Sequence, residues 1–195
     1  MYLRVLLFSM LMLLCATTAM GQRPGPEFWR KVGCEPFEPR TKLEALEEKR
    51  NTVVIKGFTR ITTVEVRGVR IDAVEMHDIG SALRAKGIVV ILREGGERPD
   101  ENRAFVDYED IDWLLNAMDA IARVDESATR LAGFEAKYKT VGDLEIRVFR
   151  QTRSGTAVIL STGICDLATQ TLSLDDLAKV RALIQDAKAR LDEVK

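Results

Sequence analysis

One histidine, His77, stands in 195 residues, so any imidazole chemistry rests on that side chain alone. Only three cysteines occur, Cys15, Cys34 and Cys165, with no Cys-x-x-Cys pair, which excludes the common structural zinc sites. Gly-x-Ser-x-Gly, the Gly-Lys-Ser/Thr phosphate loop and the Asp-x-Asp-x-Asp-Gly calcium loop are all missing. An excess of one charge is missing too, since 29 Lys and Arg face 30 Asp and Glu in an interspersed order. Such a surface has no long-range field to hold nucleic acid or an anionic membrane. Past residue 21 no apolar run approaches the roughly 20 residues that a membrane helix needs.

What the N-terminus does have is a leader. Arg4 supplies a positive charge, Val5 to Cys15 is apolar except for Ser9, and small residues follow up to Gly21. Residues 1–21 therefore read as a secretory signal peptide, with Ala19 and Gly21 preceding a cut before Gln22. That implies an exported protein, periplasmic or secreted. Lipid attachment at Cys15 is the weaker reading, because Leu14 before it is not small. After cleavage Cys34 and Cys165 remain. In an oxidising compartment they either pair, closing a long loop worth roughly 4–5 kcal/mol in the chain-entropy model, or stay as separate buried thiols.

Four of the five prolines lie in residues 22–40, which read as an extended arm. Thr41 is placed to cap a short helix through Arg50, with Leu43 and Leu46 on one face, so the arm and helix occupy 22–50. Val53 to Val66 is rich in Val, Ile and Thr, and predicts a strand with a bulge at Gly57. Val69 to Val74 alternates after a turn at Gly68, and Ile88 to Leu92 is a continuous apolar run suited to a central strand. Asp107 with Asp110 predicts a helix N-terminus, followed by a stripe of Ile111, Leu114, Leu115, Met118, Ile121 and Ala122.

The plan then repeats. Phe134, Ala136 and Tyr138 alternate with charged residues, and after Gly142-Asp143 so do Leu144, Ile146 and Val148. A turn at Ser154-Gly155 leads to the strand Thr156 to Leu160. Ser173 and Asp176 form a second capping pair ahead of Leu177, Val180, Leu183, Ile184, Ala187 and Leu191. Val89 to Leu92 superposes on Ala157 to Leu160, and Glu109-Asp110-Ile111 on Asp175-Asp176-Leu177. The predicted fold is α+β. Two antiparallel sheet units, at about 53–126 and 131–193, are each followed by one amphipathic helix packed on the sheet. Residues 51–195 thus form one domain, a pseudo-dimer of repeats.

The stretches Ala104 to Asp112 and Phe134 to Thr140 resemble those of an uncharacterised family of exported bacterial proteins. The resemblance covers most of residues 50–192 and implies an envelope origin with no activity attached. In outline the strands-then-helix repeat is also similar to duplicated Whirly and Pur-alpha folds, in topology alone.

Few residues invite chemistry. The acids from Asp107 to Asp112 have the composition of a calcium or acid–base site, but a helix N-terminus favours negative charge for structural reasons. His77, in Glu75-Met76-His77-Asp78, has a neighbouring carboxylate but no evident nucleophile, and Cys165 would need His77 brought beside it. Phe134 and Tyr138 are the aromatics a base could stack on, yet alternation assigns them to the core, and nucleic acid is not an expected partner. The expectation is an exported, non-enzymatic binding or scaffold domain of the bacterial envelope, with no cofactor and no metal. Its partner is an envelope protein or a small ligand. The alternative is a hydrolase-like enzyme built from scattered carboxylates and His77.

Overall fold

The structure is a computed structural model, and it describes residues 38–93, 101–131, 133–151, 155–163 and 168–194. Cys15, Cys34, Cys165, Ser154 and the leader lie outside the described residues. The first described element is a six-residue helix, α1 (Lys42–Glu47). Thr41 caps it in a capping box with Glu44. Four strands follow as an antiparallel meander in the order of the chain: β1 (Val54–Val66), β2 (Val69–Asp78), β3 (Arg84–Arg93) and β4 (Glu101–Asp107). A single 3-10 turn leads into α2 (Ile111–Ala122). A second meander, β5 (Glu135–Lys139), β6 (Leu144–Gln151), β7 (Gly155–Thr162) and β8 (Ala168–Leu172), ends in α3 (Leu174–Glu193). This is the duplicated α+β arrangement that the alternating and helical apolar periods predict.

The apolar stripes are buried almost as the periodicity requires. On α3 all six predicted stripe residues are at most 2% exposed. On α2 five of the six are buried, and only Ala122, at the helix end, comes to the surface. The capping box at Ser173 and Asp176 forms.

Where the helices lie is a finding of its own. α3 crosses β1, β2 and β3 of the first sheet, and touches β7 and β8 of its own repeat less extensively. α2 packs on α3 and reaches β5, while β3 and β4 meet the second sheet directly. A forked ion pair from Arg181 to Asp119 ties the two helices together. One core therefore draws residues from both sheets and both helices, Ile71, Val90, Leu114, Ile146, Leu160 and Ile184 among them. Neither repeat could bury its apolar face alone in this arrangement.

The first sheet has a second, smaller core on its other face. Leu43 and Leu46 of α1, both fully buried, sit against Val74, Met76, Val89 and Phe105. Covered on both sides, β3 is buried from Ala85 to Leu92 apart from Lys86, which explains its unbroken apolar run.

Three local expectations are corrected. α1 ends at Glu47, three residues short of Arg50, and Asn51 then takes a left-handed φ of 59° to turn the chain into β1. Gly57 is no bulge, for it pairs regularly with Glu75. The register shift falls between Ile61 and Val66. Asp107 makes no side-chain bond to the helix that follows it, and works elsewhere.

Candidate functional site

His77 is half-buried in β2, with Ile55 and Arg84 as its cross-strand partners. Period two puts Glu75 on the same face, but no group of three His, Cys, Asp or Glu assembles among the described residues.

The buried carboxylates do something else. Asp78, Asp107 and Asp143 come from the end of β2, the end of β4 and the β5–β6 turn, and all three grip residues 40–52. Asp143 takes Arg40 Nη1 at 2.8 Å and Lys139 Nζ at 2.7 Å. Asp107 accepts the backbone N–H of Lys42 at 2.8 Å and of Leu43 at 3.1 Å, at the start of α1. Asp78, only 1% exposed, accepts from Lys49, Thr52, Ser81 and the Gly80 N–H. The physical need is clear. A six-residue helix is too short to hold itself, so its orphan N–H groups and charged flanks are satisfied by acids from the sheets. Asp107 thus supplies negative charge at a helix N-terminus, as the sequence implies, but at α1. The rest of the acidic stretch disperses: Glu109 pairs with Lys42, and Asp112 with Lys188 of α3 at 3.0 Å.

This grip sets a pH dependence. The hydrogen bond from Lys49, then those from Ser81 and Thr52, hold Asp78 well below its ordinary 3.8. A carboxylate lowered on folding contributes stability that is complete above its unfolded value and drains away as pH falls through it. The melting temperature should therefore hold steady down to about pH 5 and fall below about pH 4. Asp78→Asn, less stable at neutral pH, should lose less over that acid limb. Parallel limbs in the two proteins would refute the assignment.

Several hollows among the described residues border the first sheet. One, of about 300 Å3, lies between α1, β3, Tyr108 and the end of α3. Three of its charged residues are engaged in contacts: Lys42 pairs with Glu109, and Lys86 with the end of α3. Lys86 donates to the carbonyls of Leu191 at 2.9 Å and Val194 at 3.3 Å, and lies 4.4 Å from the centre of the Tyr108 ring. A cation is well placed at a helix C-terminus, and better still over an aromatic face. The Tyr108 hydroxyl donates to Asp192, a bond that raises its pKa and keeps it a phenol.

A second hollow, of about 270 Å3, opens at the β1–β2 turn and is lined by Arg60, Arg70, Arg93, Thr62 and Gly68. The ladder register explains why three arginines meet there. Arg60 stands opposite Asp72, Arg70 is two residues from Asp72, Arg70 stands opposite Ile91, and Arg93 is two residues beyond Ile91. All share one face of the sheet. A wider groove of about 480 Å3 runs round the edge of β1 to α3, with Arg60 on its rim.

Sequence reasoning missed this arginine site. The three residues are far apart in the chain, and only the ladder register, which no motif encodes, places them together. Phe134 and Tyr138, by contrast, pack against the main core as alternation predicts. Among the described residues no helix is long and apolar enough to cross a membrane. No protein-family model matches this chain, and no curated protein or solved structure is detectably similar to it.

Proposed function

We propose that this chain is an exported, non-enzymatic binding or scaffold domain of the bacterial envelope, with its ligand seat on the turn end of the first sheet. The observation that carries this reading is a division of labour among the charged residues. The acids Asp78, Asp107 and Asp143 are spent on fixing residues 40–52 to the sheets. Among the described residues, the cavity at the turn end of the first sheet is lined by Arg60, Arg70 and Arg93 together with Thr62 and Gly68. A rigid framework with a small polar cavity at its margin suits recognition. The leader supports export, and the double repeat supplies the rigidity.

The test is a thermal-shift screen of the chain from Gln22 onward against sugars, nucleotides, lipids, peptides and divalent metals. A specific ligand at a hundred times its dissociation constant should stabilise the domain by about 2.7 kcal/mol, or several degrees in melting temperature. No shift from any class, together with no cross-linked partner in intact envelopes, would overturn the proposal.

A further inference from the structure

We infer that the open edge of β1 pairs with β1 of a second copy of this chain, antiparallel about a two-fold axis at Gly57. β1 is an edge strand of 13 residues, and among the described strands β2 is its one neighbour. The bond from the Ile79 N–H to the Val53 carbonyl fixes the phase of that ladder. Odd-numbered residues bond to β2, so Val54, Lys56, Phe58 and Arg60 turn their N–H and C=O groups outward. A long edge in regular register is a template for another strand, and natural sheets guard such edges with charge. Here the two charges, Lys56 and Arg60, are drawn to Glu47 at 2.9 Å and Asp72 at 3.8 Å.

Two features of the edge serve nothing within one copy. A Cβ at Gly57 would meet only the Glu75 carbonyl oxygen, at 4.0 Å, so the chain itself does not require a glycine there. A glycine inside a strand marks a bulge or the close approach of another backbone, and the register at Gly57 is regular. Val53, Ile55 and Phe58 are also 62%, 54% and 64% exposed. A two-fold at Gly57 uses all four residues. It sets Ile55 opposite Thr59 of the second copy, and Val53 opposite Ile61. Thr59 and Ile61 line the groove of about 480 Å3 between β1 and α3. Each copy's open half-strand therefore lies along the other's groove, which is the self-complementarity that a two-fold contact needs. On the opposite face Phe58 meets Lys56 of the second copy, a ring beside a cation. A two-fold at Phe58 would instead put Lys56 opposite Arg60 twice, like charge on like, which selects Gly57 as the axis.

The experiment is sedimentation velocity on the chain from Gln22 onward, joined to oxidative cross-linking of cysteine variants. The wild type, which keeps Cys34 and Cys165, is the blank. A concentration-dependent dimer is expected. Ile55→Lys should weaken it about tenfold or more. Leu131→Lys, at a residue 77% exposed outside the strands, should leave it unchanged. Gly57→Cys should cross-link to a dimer, because two Cα atoms facing across the axis lie about 4.5 Å apart, within the span of a disulfide. Thr59→Cys should not, since four residues of strand hold its two copies about 13 Å apart. Equal cross-linking of the two cysteine variants, or a dimer indifferent to Ile55→Lys, would overturn the inference. A monomer at every concentration would overturn it too, and would leave the edge to an extended segment of another protein. If Ile55→Lys fails to fold, the cysteine variants decide, because Gly57 has room for a Cβ and Thr59 is exposed.

Discussion

Gly142→Ala should lower the stability of the whole domain by about 3 kcal/mol, at the upper end for overpacking a closed interior. A Cβ at this position would lie 2.0 Å from the carbonyl oxygen of Phe105 and 3.0 Å from Thr41 Cγ2. The nearer contact is main chain in β4, so no rotamer change relieves it. The β5–β6 turn would have to move as a body, yet Asp143 beside it is held by Arg40 and Lys139. Gly133 is the control, because a Cβ there meets nothing within 4 Å. Gly133→Ala should change the urea midpoint little, or raise it slightly by restricting the unfolded chain. Equal midpoints for the two variants would mean that the second sheet does not approach β4 as closely as described.

The second large effect belongs to Leu191→Ala. Leu191 is 2% exposed near the end of α3, and its carbonyl holds Lys86 of β3. Truncation should cost about 2–5 kcal/mol in lost burial and cavity formation. The more telling readout is location. Amide hydrogen exchange should rise first in β2 and β3, strands of the other repeat, because α3 lies over them. Faster exchange confined to β6 and β7 would mean that the helix covers its own sheet.

That exchange of cover marks the boundary of what the sequence reveals. The stripe from Leu177 to Leu191 shows that α3 has one apolar face, and the alternation in Leu144 to Val148 shows that the sheet has one too. Neither says which face meets which, because burial is non-directional and any complementary apolar surface would serve. Asp107 is the same case in electrostatics. Its charge belongs at a helix N-terminus, but that terminus is Lys42, far away in the chain. The register shift in β1 escaped because register depends on the partner strand, not on the glycine. Strands, helices and the duplication were legible, since each follows from local period and capping. The arginine cavity was not, since it exists only once β1, β2 and β3 are in register.

The role proposed for this domain is to bind a ligand without converting it. The most direct measurement is to incubate the chain with each compound that raises its melting temperature and to analyse the recovered compound by mass spectrometry. The ligand should return unchanged, and His77→Ala should bind it as the wild type does. Conversion of the compound, abolished by His77→Ala in a protein that still folds, would contradict it.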